Sequence, residues 1–329
     1  MNRTRRSRVA GVLAATLAAS LWMLAGPLTA QTYPARTIRI VSPFSAGSGV
    51  DAIARVYAQR LAEQMQVAVV VENREGAGGM VGAGYVAKLP GDGYTLLVAT
   101  TPFVVGPISQ GNAAYDPVRD FTGVGRVAIN PLLLAINADL PARTVKELVA
   151  YGRANPTVLT YASSGPGTPS QLEMEVLKAR LGVEIREIPY RSNAQALTDT
   201  IAGTVSMYYT VQTTTLGNVR AGRLRALAVA SARPTLALPE VPTMAEAAGL
   251  PGYESMIWYG FVAPAATPAA LVQRLGGEVG RATQAPEIAE AIRKLGFEVA
   301  AGTSAEFGAQ IVKEAERWTA LVGKKEASK

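Results

Sequence analysis

A chain of 329 residues that is 49% hydrophobic and 17% charged is long enough for two ordinary domains and apolar enough to bury large cores. The net charge is +7, with no histidine and no cysteine, which excludes a disulfide framework, a Ser-His-Asp triad, a Cys-His pair and a His-ligated metal. Ser-Lys chemistry or a carboxylate pair stays open, but no pattern points to either, and no Lys/Arg run marks a nucleic-acid face.

The chain begins MNRTRRSR, with Arg3, Arg5, Arg6 and Arg8 and no acid. An apolar run follows over 9–25, Gly26-Pro27 ends it, and Ala30 precedes Gln31. This order predicts a secretory signal peptide over 1–30, cleaved near Ala30, with a retained anchor helix as the alternative. Losing those four arginines lowers the net charge from +7 to +3. A mild positive field of this kind attracts anions.

Beyond the leader, short β-branched runs alternate with helical patterns. Strands are predicted over 37–41, 67–72, 94–99, 124–128, 132–136, 159–162, 184–188, 205–209, 224–230 and 257–262. Helices are predicted over 51–66, 79–88, 145–154, 170–181, 194–202, 243–248, 268–282, 286–295 and 305–322. The first of these places Ile53, Val56, Tyr57 and Leu61 near one face. Such alternation predicts an α/β protein of parallel sheets covered by helices. Breaks near Asp120 and Asn130-Pro131, and again at Ala232-Arg233-Pro234, predict a discontinuous first domain (31–128 with 232–329) and an inserted second domain (129–231). A cleft is expected between them, with hinges near Ala128 and Ala230.

Four loops place small residues after a strand. They are Ser45-Ala46-Gly47-Ser48-Gly49, Gly76-Ala77-Gly78-Gly79, Ala99-Thr100-Thr101-Pro102 and Ser163-Ser164-Gly165-Pro166-Gly167-Thr168. Ligands of open α/β sheets bind outside the carboxyl ends of strands, where helix starts offer free N–H groups. Glycines allow close approach and hydroxyls add donors, so the set suits a carboxylate.

Gly47-Ser48-Gly49-Val50-Asp51-Ala52 also matches a dinucleotide fingerprint, with Glu72 ending the second strand. Against that reading, Gly47 lies well past the strand end and Asp51 would oppose a pyrophosphate. The same pattern recurs at Gly82-Ala83-Gly84-Tyr85-Val86-Ala87, inside a predicted helix. No cofactor is therefore expected. Structural readings stand beside the ligand ones: glycines as turn formers, Asp51 as a loop brace, Trp258-Tyr259 as core, and Ser163, Ser164 and Thr168 as helix caps. Tyr190 and Arg191 follow a strand and face the same end of its sheet.

Several stretches resemble the Bug-type extracytoplasmic receptors of tripartite tricarboxylate transporters. They are YPARTIRIVSPFSAGSGVDAIAR, VENREGAGGMVGAGYVAKLPGDGYTLL, YDPVRDFTGVGRVA, YASSGPGTPSQL, GRLRALAVAS with LPEVPTMAEAAGLPGYE, and WYGFVAPAATP. In order, they cover nearly all of the chain after the leader. The resemblance implies a periplasmic-binding-protein type II-like fold: two α/β domains closing on a small organic acid. It implies a site built from Pro43, Phe44, Ser45, Ala46, Gly47 and Ser48, with Asp51 behind them. The opposing side would be Ser163, Ser164, Gly165, Thr168 and Tyr190, and Thr100 joins the set from the third loop. The chain departs from the family at Ser48, where a second glycine is usual, and at Ser206, where an aspartate is usual. The second change argues against a ligand that carries an amine.

The combined expectation is a monomeric, non-enzymatic periplasmic receptor that delivers a carboxylate to membrane transporter components. A ligand-binding module for a sensor protein is the alternative partner reading, and an exported dinucleotide enzyme is the third.

Overall fold

The computed structural model describes residues 33–111, 114–165, 168–190 and 192–326. The predicted leader, Pro166, Gly167 and Arg191 lie outside the described residues. The chain divides into a unit Met1–Arg36 and a unit Thr37–Lys329, and the described strands and helices all belong to the second.

Strand β1 (Ile38–Ser42) leads through a loop into the helix Gly49–Met65. Ser48 caps this helix by accepting from Asp51 N at 3.2 Å. Ile53, Tyr57 and Leu61, spaced four apart, are buried against the sheet. Val56 is only half-buried, and Ala54 and Ala58 complete the packed face. Strand β2 (Val69–Asn73), a tight turn Ala77–Gly79, the helix Met80–Val86 and strand β3 (Thr95–Thr100) follow. β1 pairs in parallel with both β2 and β3.

The helix Thr101–Gln110 comes next and was not predicted. Its Phe103, Val104 and Val105 are buried, and β-branched residues with Pro107 inside give no helical signal. Packing against the core overrides the weak local preference.

Strand β4 (Phe121–Asn137) runs unbroken through Asn130-Pro131, where the sequence suggested a break between two strands. It pairs antiparallel with β9 (Met256–Pro264) as far as Pro131, opposite Met256. From Leu132 onward it pairs with β7 (Met207–Val211) and β8 (Leu224–Val229). Proline is tolerated because it sits where the ladder changes partner.

The second half contains β5 (Thr160–Ser163) and β6 (Arg186–Pro189), with β5 parallel to β6 and to β7. Its helices are Val145–Ala154, Pro169–Leu181, Asn193–Ile201 and Gln212–Arg220. The last of these was also unforeseen, since QTTTLGNVR has low helix propensity. The short helix Met244–Ala248 carries a capping box between Thr243 and Glu246. After β9, the helices Ala269–Gln284 and Pro286–Lys294 lead to β10 (Glu298–Gly302), unpredicted and antiparallel to β4, and to the C-terminal helix Ser304–Glu326.

The sheets are therefore mixed rather than parallel. β9 lies antiparallel between β3 and β4 because the chain crosses to the second half along β4 and returns along β9. One core joins Val41, Leu97, Phe103, Trp258, Phe307 and Trp318. A second joins Leu134, Tyr161, Met174, Tyr209, Met244 and Tyr253. Leu172, from the helix Pro169–Leu181, packs into the first core. Among the described residues no helix is long and apolar enough to cross a membrane.

Candidate functional site

A cavity of about 390 Å³ opens between the two halves, within the range of small-ligand sites. One wall comes from the first half: Phe44, Ala77, Gly78, and Pro102, Val105 and Gln110 of the helix Thr101–Gln110. The other comes from the second half: Ser164, Thr168, Ser170, Asn193 and Thr210. Leu132, Val211 and Ile257, where the halves join, also line it.

The second-half wall has the donors. Two helices start on it, with Thr168 and Ser192 at their N-cap positions, and neither side chain caps its helix. Thr168 Oγ1 instead donates to Gly165 O at 2.7 Å. The first-turn N–H groups lack a side-chain partner of the usual kind, and both helix dipoles present their positive ends. Asn193 Oδ1 accepts from Ser164 Oγ at 3.0 Å and Tyr208 OH at 2.9 Å. Two hydroxyls thus fix the amide so that its Nδ2 is the donor it can offer a ligand.

The first-half loop is arranged differently. Asp51, buried at 2% exposure, accepts from Gly47 N at 2.9 Å, Arg55 Nε at 2.8 Å and Asn73 Nδ2 at 2.8 Å. Asn73 Nδ2 also donates to Phe44 O at 3.0 Å. Burial pushes the Asp51 carboxyl up, but Arg55, Gly47 and Asn73 outweigh it and hold it below the ordinary 3.8. Asp51 is thus a brace whose network ends on Phe44, a cavity residue. It also takes the Gly47 N–H that a pyrophosphate would need.

Of the residues singled out in the sequence, Phe44, Ser164 and Thr168 line the cavity. Pro43 and Thr100 line a much smaller void beside Phe44. Ser45, Ala46 and Gly47 lie exposed on the loop ahead of the capping Ser48. Ser163 is buried and donates to Glu187 Oε1 at 2.6 Å, while its Oγ accepts from Gly165 N at 3.0 Å. Tyr190 donates to Asp199 at 2.9 Å, and burial with the Asp199 carboxylate pushes its hydroxyl up to about 12. Ser206 bonds to Thr160 and lines no part of the cavity.

Asn193, Thr210 and the face of the helix Thr101–Gln110 were missed. Asn193 stands just after an N-cap serine, a signal that could have been read. The Thr101–Gln110 face could not, because the helix itself carries no local signal. Among the described residues no group of three or more Asp or Glu could hold a metal ion.

Two α/β lobes around a cleft, with helix starts facing the cleft, define the class of periplasmic binding proteins, and solved proteins of that class share this fold. The family model for the tripartite tricarboxylate transporter family receptor matches residues 53–326. The chain belongs to that family. It is 33% identical to the protein BugT of Bordetella pertussis over 324 residues, 98% of each chain. It is similar to the Rhodopseudomonas palustris protein Rpa4515, solved with adipate, at 34% identity and a TM-score of 0.74, covering 88% of this chain and 97% of that one. It is also similar to MatC of Rhodopseudomonas palustris, solved with bound malate, at 28% identity and a TM-score of 0.71, covering 88% and 100%.

Proposed function

We propose that this protein is a periplasmic receptor that captures a small organic carboxylate between its lobes and delivers it to a membrane transporter of the tripartite tricarboxylate type. One observation carries the reading: two helix starts without side-chain caps, at Thr168 and Ser192, meet on one cavity wall beside Ser164 and Asn193. Amide and hydroxyl donors on a positive dipole end suit a carboxylate. The adipate and malate held by its relatives agree with that chemistry. The arginine-rich leader supports export, and binding and release without turnover suits a chain lacking His and Cys.

In this reading the second lobe, expected over 129–231, is drawn over 132–255, because Met244 and Tyr253 pack into its core. The chain crosses at β4 and again at Ser255, where Leu132 N donates to Ser255 O at 3.0 Å and Ser255 N to Ala230 O at 2.8 Å.

Thermal unfolding of the purified protein with a panel of mono-, di- and tricarboxylates tests the proposal. A bound acid raises the midpoint in proportion to RT ln(1 + [L]/Kd). A flat response to every acid at millimolar concentration defeats it.

A further inference from the structure

Backbone that favours an anion lies on both walls of the cavity. The second lobe presents the helix starts at Thr168 and Ser192. The first lobe presents the turn at Ala77 and Gly78, both in the left-handed region (φ +47 and +66). It also presents the start of the helix Thr101–Gln110, whose N-cap residue Thr100 makes no side-chain cap. No Lys, Arg, Asp or Glu is among the described cavity residues. Either wall can therefore receive a carboxylate, and the body of the ligand falls against the floor that joins them. On that floor Leu132, Val211 and Ile257 are apolar, and Thr210 beside them is polar. Thr210 stands opposite Leu133, and Val211 opposite Leu132, so the ladder between β7 and the crossing strand β4 fixes its place.

Thr210 is nearly buried, so a ligand lying over it removes the last water it can meet. Tyr208 shares its face of β7, and the Tyr208 hydroxyl donates to Asn193 Oδ1 at 2.9 Å. The Tyr208 oxygen is left to accept from Thr210. Burial pushes the Tyr208 hydroxyl up, and the Thr210 and Ser164 hydroxyls pull against it. The series Thr210, Tyr208, Asn193 thus links the floor to the second-lobe wall and leaves the Thr210 oxygen as an acceptor in the cavity it lines. A plain alkyl body there strips water from a hydroxyl and returns no hydrogen bond. A site built round a ligand hydroxyl turns that cost into discrimination.

We infer that Thr210 is a specificity-determining residue and that the acid carries a hydroxyl on its body. The inference rests on the carboxylate-receptor reading and narrows it. A hydroxyl pairs with Thr210 whichever way the threonine proton points, whereas a carbonyl or ether oxygen can only accept. With the Thr210 proton on Tyr208, the ligand hydroxyl is the donor.

Calorimetric titration of the purified protein with matched pairs of acids tests it: succinate against malate, and glutarate against 2-hydroxyglutarate, with the enantiomers of each hydroxy acid used separately. The members of a pair share length and charge and differ by one hydroxyl. In at least one pair a hydroxy acid should bind roughly tenfold or more tighter than its parent. Parents that bind as tightly as their hydroxy acids in both pairs would overturn the inference and leave the receptor reading standing. Binding of none of these acids would also overturn it, while the receptor reading answers to the wider acid panel.

Substitution at Thr210 gives an independent arm. Thr210→Val keeps the branched shape that suits a strand and removes the hydroxyl. It should bring the affinities within a pair close to equal. Thr210→Ser keeps the hydroxyl and should keep most of the preference. A preference that survives Thr210→Val would place the ligand hydroxyl elsewhere and overturn the assignment. A Thr210→Ser protein that loses it as fully as Thr210→Val would show that the methyl group sets it, which would overturn the assignment too.

Discussion

Arg317, in the C-terminal helix, donates to the Glu173 carboxylate at 2.8 Å and so ties the helix that opens on the cavity to the opposite lobe. Glu173 is buried at 4% exposure, and its Oε2 has no hydrogen-bond partner among the described residues. Burial pushes its carboxyl above the ordinary 4.5, against the pull of Arg317. Removing one partner of a buried pair leaves an uncompensated charge. Because Arg317 is itself partly exposed, Arg317→Ala should lower stability by about 1–3 kcal/mol at neutral pH, and Glu173→Gln in that background should restore most of it. A raised carboxyl binds its proton more tightly folded than unfolded. Glu173 therefore contributes most below pH 4.5, and its contribution is lost as pH rises through the folded value. Urea titrations of the single and double variants at several pH values measure both effects. Equal losses in the single and double variants would show that the pair is not coupled.

Asp51 has the opposite sign. Its carboxyl is held below 3.8, so the stability it contributes is present above that value and is lost as pH falls through the lower folded value. Asp51→Ala removes bonds to Gly47, Arg55 and Asn73, one of them an ion pair with an exposed arginine. A loss of about 1–3 kcal/mol is expected, with a shallower acid limb in the unfolding midpoint. Ligand affinity should fall too, because Asn73 loses one of the two acceptors that place it under Phe44. An Asp51→Ala protein that binds normally would detach this brace from the site.

Much of the site was legible as loop chemistry. Strand-to-helix junctions rich in small and hydroxyl residues pointed to Ser164 and Thr168, and the family resemblance to Phe44, three residues that share a cavity. The loops alone could not show that Ser48 caps its own helix while Thr168 does not, because both are hydroxyl residues at N-cap positions. That difference depends on where Thr168 Oγ1 turns, toward the Gly165 carbonyl. The parallel-sheet expectation failed for a related reason. Asn130-Pro131 has the local signature of a break, and only the exchange of β9 for β7 and β8 along β4 explains why the strand continues. The helix Thr101–Gln110, which supplies much of the apolar wall, is apolar on most sides and reads as neither helix nor strand.

Asn193 offers the sharpest test of the proposed anion-binding wall. Asn193→Ala removes a donor and the acceptor shared by Ser164 and Tyr208. Asn193→Asp keeps that acceptor but puts a negative charge beside the ligand. Like charges brought together in a shielded site cost several kcal/mol. The aspartate variant should lose about 100-fold or more in carboxylate affinity, and the alanine variant about tenfold. Titration of the best acid into both variants measures the difference. If the alanine variant were the weaker of the two, the negative charge would lie away from the ligand carboxylate.

Closure about the crossing strands is the last expectation. The lobes share β4, which changes partners at Pro131–Leu132, and the return path through Ser255 lies hydrogen-bonded beside it. Bending two adjacent extended segments leaves the ladders on each side intact, since they end there, and the packing across the lobes that it must shift is that of Leu172 in the first core. This is how hinge motions are usually accommodated. A ligand that touches both walls stabilises the closed arrangement by its differential affinity for it. Small-angle scattering should show a smaller radius of gyration with saturating acid than without. The Glu173–Arg317 pair crosses between the lobes, so Arg317→Ala should bias the free protein toward the open form. That lowers apparent affinity by the fraction of closed-competent molecules lost. Identical scattering with and without ligand, in a protein that demonstrably binds it, would mean that the cavity fills without lobe movement.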